Sequence, residues 1–234
     1  MLEGGATMKI KILGDGPVYE AVYKILMDHG AGYLHHADAD ADLGILAWWP
    51  HILKEPELSA PRLGWLNLHP SLLPYGRGKH PASFALLDET PFGVTIHWVS
   101  EKVDEGDVAW QRQILYDWTV TAGDLYATAQ TAIVELFEEH VDSILAGDIP
   151  RVKQRRPAKY ASDWPTNSAS DIEPMSEVDL EVYDRYDDQP VREALNTIRA
   201  RTYPDGPGAW FVDNGVRYRV MISIKRDDLT DSEG

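Results

Sequence analysis

The sequence predicts an α/β protein: a sheet with helices on both faces, followed by a small C-terminal α+β appendage containing a β-hairpin. Three observations carry this. Strand-like and helix-like segments follow one another in the order β-α-β-α-β-α-β-β-α. The run DLGILAWW (42–49) is apolar without a break, as suits a strand buried on both faces. Near the C-terminus, AWFVDNGVRYRVMISI sets Asn214-Gly215 between two strand-like runs, a strong hairpin signal.

The elements follow in order. MKIKIL (8–13) reads as the first strand. GDGP then turns the chain into a helix reaching about His29, with Val18, Val22, Ile25 and Leu26 at helical spacing. Gly14 and Gly16 are half of a dinucleotide fingerprint, but the third glycine and an acidic ribose partner are missing, so a tight strand-to-helix turn is the better reading. After the 42–49 strand, a helix is expected beyond Pro50. RLGWLNLH (62–69) is the next strand. FGVTIHWV (92–99) and DVAWQRQI (107–114) form a strand pair joined by SEKVDEG. Thr121 and Asp124 have the spacing of a capping box. A helical stripe follows through Leu125, Ala129, Ile133, Leu136, Phe137, Val141 and Ile144, stopped by Gly147 with Pro150 beyond. The expected organisation is a leader or cloning remnant over 1–7, a catalytic domain over 8–150, a linking or wrapping segment over 151–190, a helix plus hairpin over 191–225, and a mobile tail over 226–234.

Composition narrows the function. The 234 residues suffice for a full core. No apolar run reaches the roughly eighteen residues of a membrane helix, and the N-terminus lacks the pattern of a secretory signal. With no cysteine, disulfides, thiolate catalysis and Cys-based zinc sites are out, which fits a reducing, cytoplasmic setting. A net charge of −16 disfavours general nucleic-acid binding, so an anionic ligand needs a local cationic patch.

The segment GWLNLHPSLLPYGRGKHP (64–81) carries the chemistry. Asn67 and His69 are two apart in a strand and therefore share a face. They stand near its carboxyl end, where open α/β sheets bind ligands. Alone, the pair could equally satisfy each other or the loop backbone. Its context is more specific. Asn67, His69, Ser71, Leu73, Pro74, then Arg77, Gly78 and Pro81, then Val103-Asp104-Glu105-Gly106, resemble the formyltransferases that use 10-formyltetrahydrofolate. The resemblance extends over most of 8–148.

That resemblance implies a Rossmann-like formyltransferase sheet, N10-formyltetrahydrofolate as co-substrate, no metal, and Asn67, His69 and Asp104 as catalytic residues. Asn67 and an imidazolium at His69 would stabilise the developing oxyanion. Asp104 would favour the charged imidazole and accept the proton of the attacking ammonium. His97 is read as packing, His80 as a further histidine candidate, and Asp107 as a strand-start residue. The folate pocket is expected at Trp48, Trp49, His51, Ile52 and Leu53, with Val103 opposite. The Leu73–Pro74 peptide is expected to be cis.

Within the family, HPSLLPYGRGKHP and TPFGVTIHWV resemble the sugar N-formyltransferases, with Gly76 where Asn is usual. This implies a nucleotide-linked acceptor, a dTDP-linked amino-deoxyhexose, contacted by Ser71, Tyr75, Arg77, Lys79 and His80, with Arg77, Lys79 and His80 forming the patch for the diphosphate. It also implies a cytoplasmic homodimer serving lipopolysaccharide or glycan biosynthesis, with neither nucleic acid nor membrane as partner. Glycinamide ribonucleotide and methionyl-tRNA are the alternative acceptors. A catalytically silent binding module is the reading from another class.

Overall fold

The computed structural model describes residues 7–33, 40–157, 165–178 and 189–226. The expected leader and tail, and parts of the 151–190 segment, lie outside them. The elements are β1 (Lys9–Gly14), α1 (Gly16–Asp28), β2 (Gly32–Tyr33), β3 (Leu43–Ala47), β4 (Trp65–His69), α2 (Pro81–Leu87), β5 (Phe92–Trp98), β6 (Val108–Ile114), α3 (Ala122–Ala146), a 3₁₀ turn (Pro174–Ser176), α4 (Gln189–Arg201), β7 (Ala209–Asp213) and β8 (Val216–Val220). The main sheet has the order β2-β1-β3-β4-β5-β6, parallel from β2 through β4 and antiparallel for β5 and β6.

Each long helix forms for reasons visible in its residues. α1 starts with Pro17 in its first turn and buries Val18, Val22, Ile25 and Leu26. At α3 the capping box is complete: Asp124 N–H donates to Thr121 Oγ1 and Thr121 N–H to Asp124 Oδ2. Gly147 ends the helix at φ 74°, a left-handed conformation that suits glycine.

The two faces of the sheet are covered differently. Ile10, Ile12, Leu43, Ile45, Leu66, Leu68, Val94 and Ile96 share one core with the buried stripes of α1, α2 and α3. Alternation turns Leu13, Leu46 and Trp65 to the other side, where Leu53 joins them and Trp49, Leu58 and Val99 pack alongside. The expected helices on both faces are therefore found, among the described residues, on one face only. The helix expected after Pro50 is a run of turns instead, because Pro50, Pro56 and Pro61 deny backbone donors to a helix there. Trp65 Nε1 pins this segment by donating to Glu57 O at 3.0 Å. Gly44 makes room for the indole, since a Cβ there would lie 2.1 Å from the Trp65 ring.

The C-terminal elements are joined to the elements of the main sheet. Ser83 Oγ on α2 donates to Ala200 O at 2.7 Å. Glu89 takes two hydrogen bonds from Arg192 and one from Asn196. The guanidinium groups of Arg192 and Arg199 both lie over Trp118. β7 and β8 form the expected hairpin, with Asn214 and Gly215 both at positive φ. Val152 bridges Val108 at the start of β6.

Candidate active site

The candidate site lies on the face of the sheet that carries no helix among the described residues. Asn67 and His69 point to that face from β4, and the antiparallel register sets His97 of β5 directly opposite Asn67. Asp104 completes the group from the β5–β6 loop, at φ 53°, an uncommon conformation for a non-glycine residue. Gln154 holds that loop by donating to Asp104 O and Gly106 O, both at 2.8 Å.

Hydrogen bonds fix the tautomers. His97 Nδ1 lies 2.9 Å from Trp98 O, and a carbonyl can only accept, so Nδ1 carries the proton. Nε2 lies 3.1 Å from Asn67 Nδ2 and 3.4 Å from Asp104 Oδ1. An Asn67 N–H points at Asp104 Oδ1 over a longer 3.4 Å. His69 Nε2 donates to Gly76 O at 3.0 Å, which leaves Nδ1 facing Asp104 Oδ2 at 3.7 Å. Gly78 N–H donates to the same Oδ2 at 2.8 Å.

Electrostatics assign resting charges. Burial pushes the His69 imidazole below its ordinary 6.5, assisted by His97 and opposed by Asp104 and the Gly76 carbonyl. His69 therefore rests neutral at physiological pH: loss of hydration outweighs the neighbouring carboxylate. Burial also works against the Asp104 carboxylate, but the facing imidazoles of His69 and His97 and the Gly78 N–H outweigh it and hold Asp104 well below the usual range. So depressed a carboxylate is a weak base. The free Nδ1 of His69 is the better proton acceptor, and Asp104 is placed to stabilise the proton once it arrives. A nitrogen about 2.9 Å from both Nδ1 and Oδ2 fits this geometry, because the two acceptors are only 3.7 Å apart.

These groups open into a cavity of about 640 Å³. Its wall includes Trp48, Trp49, His51, Ile52, Leu53 and Val103, so the structure brings together the residues expected around folate. Trp48 is anchored by donating Nε1–H to Tyr126 Oη at 2.6 Å, and the Trp49 ring meets His51 edge-on. Ile52 and Val103 expose large apolar surfaces on the same wall. Flat apolar walls beside a few polar groups fit a folate heterocycle.

The expected acceptor contacts divide. Lys79 and His80 line the cavity. Ser71, Tyr75 and Arg77 do not. Ser71 Oγ is buried and donates to Tyr75 O. Arg77 turns inward, its side chain fully buried, and donates to Glu105 Oε1 at 2.7 Å. His80 is kept neutral by burial and by the charges of Arg201 and Lys79. The expected three-residue cationic patch is thus reduced to Lys79, whose Nζ donates to Pro50 O at 3.2 Å. Asp107 stays outside the cavity wall, its carbonyl accepting Trp98 N–H.

Sequence reasoning missed several residues here. His97, expected to serve packing, instead lies with Nε2 3.1 Å from Asn67 Nδ2 and orients that amide. Its signal was the antiparallel strand pair, which puts it across from Asn67. Tyr126 and residues 166–169 also line the cavity. Residues 166–169 are fastened to the loop by Asn167 N–H donating to Arg77 O and Lys79 N–H donating to Asn167 O. The Leu73–Pro74 peptide is cis, as expected.

Comparison with known proteins places the fold. The family model described as Formyl transferase matches residues 33–141, and the N-formyltransferase dimerization C-terminal domain matches residues 171–226. The chain belongs to the formyl transferase family. A dTDP-4-amino-4,6-dideoxyglucose formyltransferase of Mycobacterium bovis is 32% identical over 159 residues, 68% of this chain. This formyl transferase chain spans 63% of the length of that relative. A 4-N formyltransferase from Francisella tularensis has the same fold, with a TM-score of 0.79 at 24% identity, covering 94% of this chain and 99% of that one. An N-formyltransferase from Helicobacter canadensis, solved with folinic acid and dTDP-3-aminofucose, superposes with a TM-score of 0.67 at 16% identity, covering 82% of this chain and 80% of that one.

Proposed function

We propose that this protein transfers the formyl group of N10-formyltetrahydrofolate to the amino group of a nucleotide-linked amino-deoxyhexose, the nucleotide being dTDP. The observation that carries the reading is His69 Nδ1 and Asp104 Oδ2, 3.7 Å apart, converging on one point beside an Asn67 N–H in a cavity with an apolar aromatic wall. The relatives acting on or solved with dTDP-amino sugars support the choice of acceptor.

The residues divide the work as follows. The amino group enters as an ammonium and settles between His69 Nδ1 and Asp104 Oδ2. His69 Nδ1 takes one proton, and Asp104 stabilises the resulting imidazolium. The freed amine then attacks the formyl carbon. Charge developing on the formyl oxygen meets Asn67 Nδ2–H, whose longer bond to Asp104 is the one exchanged. One such donor lowers a barrier by about 3–4 kcal/mol. As the carbon–nitrogen bond to folate breaks, His69 returns its proton to the departing N10. A second proton, lost by the new amide nitrogen, leaves to solvent. The co-substrate supplies the activated formyl group, and Trp48, Trp49, Ile52, Leu53 and Val103 hold its ring system. Lys79 serves the acceptor's diphosphate.

On the small two-stranded hairpin sheet, Val216 and Tyr218 are exposed on one face, with Phe211 stacked on Tyr218 across the register. We read this face as the contact of a homodimer, in keeping with the family model that matches there. Among the described residues no helix is long and apolar enough to cross a membrane. We place the protein in the cytoplasm, in the assembly of a glycan, on the strength of its family resemblance.

The test is an initial-rate panel with 10-formyltetrahydrofolate and dTDP-, UDP- and GDP-linked amino sugars, glycinamide ribonucleotide and initiator methionyl-tRNA. A dTDP-amino-deoxyhexose should give the highest kcat/KM. Efficient formylation of glycinamide ribonucleotide or methionyl-tRNA, with no sugar turned over, would overturn the reading.

A further inference from the structure

The loop 76–79 has a single consistent relation to the active site. Each of its four residues holds a different part of the machinery. Gly76 O accepts from His69 Nε2, Arg77 Nη1 donates to Glu105, Gly78 N–H donates to Asp104 Oδ2, and Lys79 N–H donates to Asn167 O. Two of these bonds grip neighbouring residues, Asp104 and Glu105, of one short loop.

We infer that Arg77 is a positioning residue: through Glu105 it holds the 103–106 loop so that the Asp104 carboxylate stays aimed at His69. The Arg77 side chain is 0% exposed and does not line the cavity, so it is not placed to meet a bound diphosphate. The Glu105 side chain is 34% exposed and has a second cation, Lys102, at 3.7 Å. A left-handed backbone at a non-glycine residue persists only where its surroundings enforce it. At Asp104 they do so from three directions: Gly78 at the carboxylate, Gln154 at the carbonyl, and Arg77 at the next side chain. The Arg77–Glu105 bond is the tie charged on both sides, with its guanidinium buried. Losing it lets Glu105 swing towards solvent and carry Asp104 with it. Displacements on the order of 1 Å can cost about a hundredfold in rate.

The kinetic part of the test rests on the formyl-transfer reading above, and a second part does not. In the kinetic part, Arg77→Met and Glu105→Gln should each lower kcat by about tenfold to a hundredfold. KM for the sugar nucleotide should stay within about twofold of wild type, and Arg77→Lys should recover part of the rate. The double variant should lose no more than the worse single one, as residues acting as a unit do. The second part follows the His69 ring by NMR titration, with no acceptor present. His69 is faced by Asp104, His97 and the Gly76 carbonyl. Removing the Arg77 charge alone would raise the His69 pKa, whereas withdrawing Asp104 would lower it. The clamp predicts a fall in Arg77→Met. If Arg77→Met does not fold, Arg77→Lys keeps the charge, and a fall there reports position alone. A rise or no change in the His69 titration, or a raised sugar-nucleotide KM with kcat intact, would overturn the inference. If wild-type protein formylates no acceptor, the functional reading fails while the titration still decides the clamp.

Discussion

Replacing Asp104 with Asn keeps the size of the side chain and an oxygen for Gly78 N–H. It removes the charge that faces His69 Nδ1 at 3.7 Å. At an effective dielectric constant of about 20, two unit charges at that separation interact by roughly 4–5 kcal/mol. Part of that attraction is recovered by water and by the remaining amide dipole. A barrier increase of about 3–4 kcal/mol is therefore expected, equivalent to a loss in kcat of about 150- to 900-fold. Because the carboxylate also receives the entering ammonium, KM for the acceptor should rise alongside the loss in kcat, while KM for the folate should change little. The assay is steady-state transfer followed by tetrahydrofolate release, with circular dichroism and thermal unfolding to confirm the fold. Retention of a tenth or more of wild-type kcat in a folded Asp104→Asn protein would refute the assignment. So would a loss confined to KM.

Three further outcomes follow from other parts of the structure. In Gly78→Ala a Cβ would lie 2.0 Å from Asn167 O on a backbone at φ 84°; calorimetry should show a loss of about 1–3 kcal/mol, together with reduced kcat as the Gly78 N–H leaves Asp104, and unchanged stability would refute the close approach. The folded-state pKa of His69 is depressed below 6.5 and that of Asp104 below 3.8. Their linked stability is thus fully present above those ordinary values and is lost as pH falls through the lower folded-state ones. Unfolding free energy should decline on acidification from about pH 6.5 and more steeply below the carboxylate range, while kcat should fall only below pH 6.5; a kcat that falls as pH rises from 6 to 8 would contradict the neutral base. Charge introduced on the hairpin by Tyr218→Glu should shift sedimentation towards the monomer with little change in melting temperature, and an unaltered assembly would remove that face from the dimer.

What the sequence made legible depended on period and punctuation. α3 was readable because seven apolar residues repeat at helical spacing between a capping box and a glycine, and nothing in the fold opposes that local preference. β3 was readable because every residue from Leu43 to Ala47 is buried. The segment after Pro50 misled because a helix is the common connection between parallel strands, whereas here turns suffice to cover Trp65. α2 has a place in the expected element order, but it is only seven residues long and begins directly after a motif rich in Gly and Pro, so its period is too short to fix its bounds. In the site, Asn67, His69 and Asp104 were legible as residue types in a fixed order. The direction in which a cation turns was not: Arg77 and Lys79 are alike in sequence context, and only the position of Glu105 takes Arg77 away from the cavity. Nor does the order of residues reveal that burial overrides Asp104 in setting the resting charge of His69.

That resting charge is the centre of the account, because a neutral Nδ1 is what accepts the amine's proton. The most direct test is an NMR titration of the His69 ring nitrogens in the wild-type protein. The account predicts the Nε2–H tautomer at pH 7, with Nδ1 unprotonated and its midpoint below 6.5. A ring that is already charged at pH 7, or one carrying its single proton on Nδ1, would contradict it.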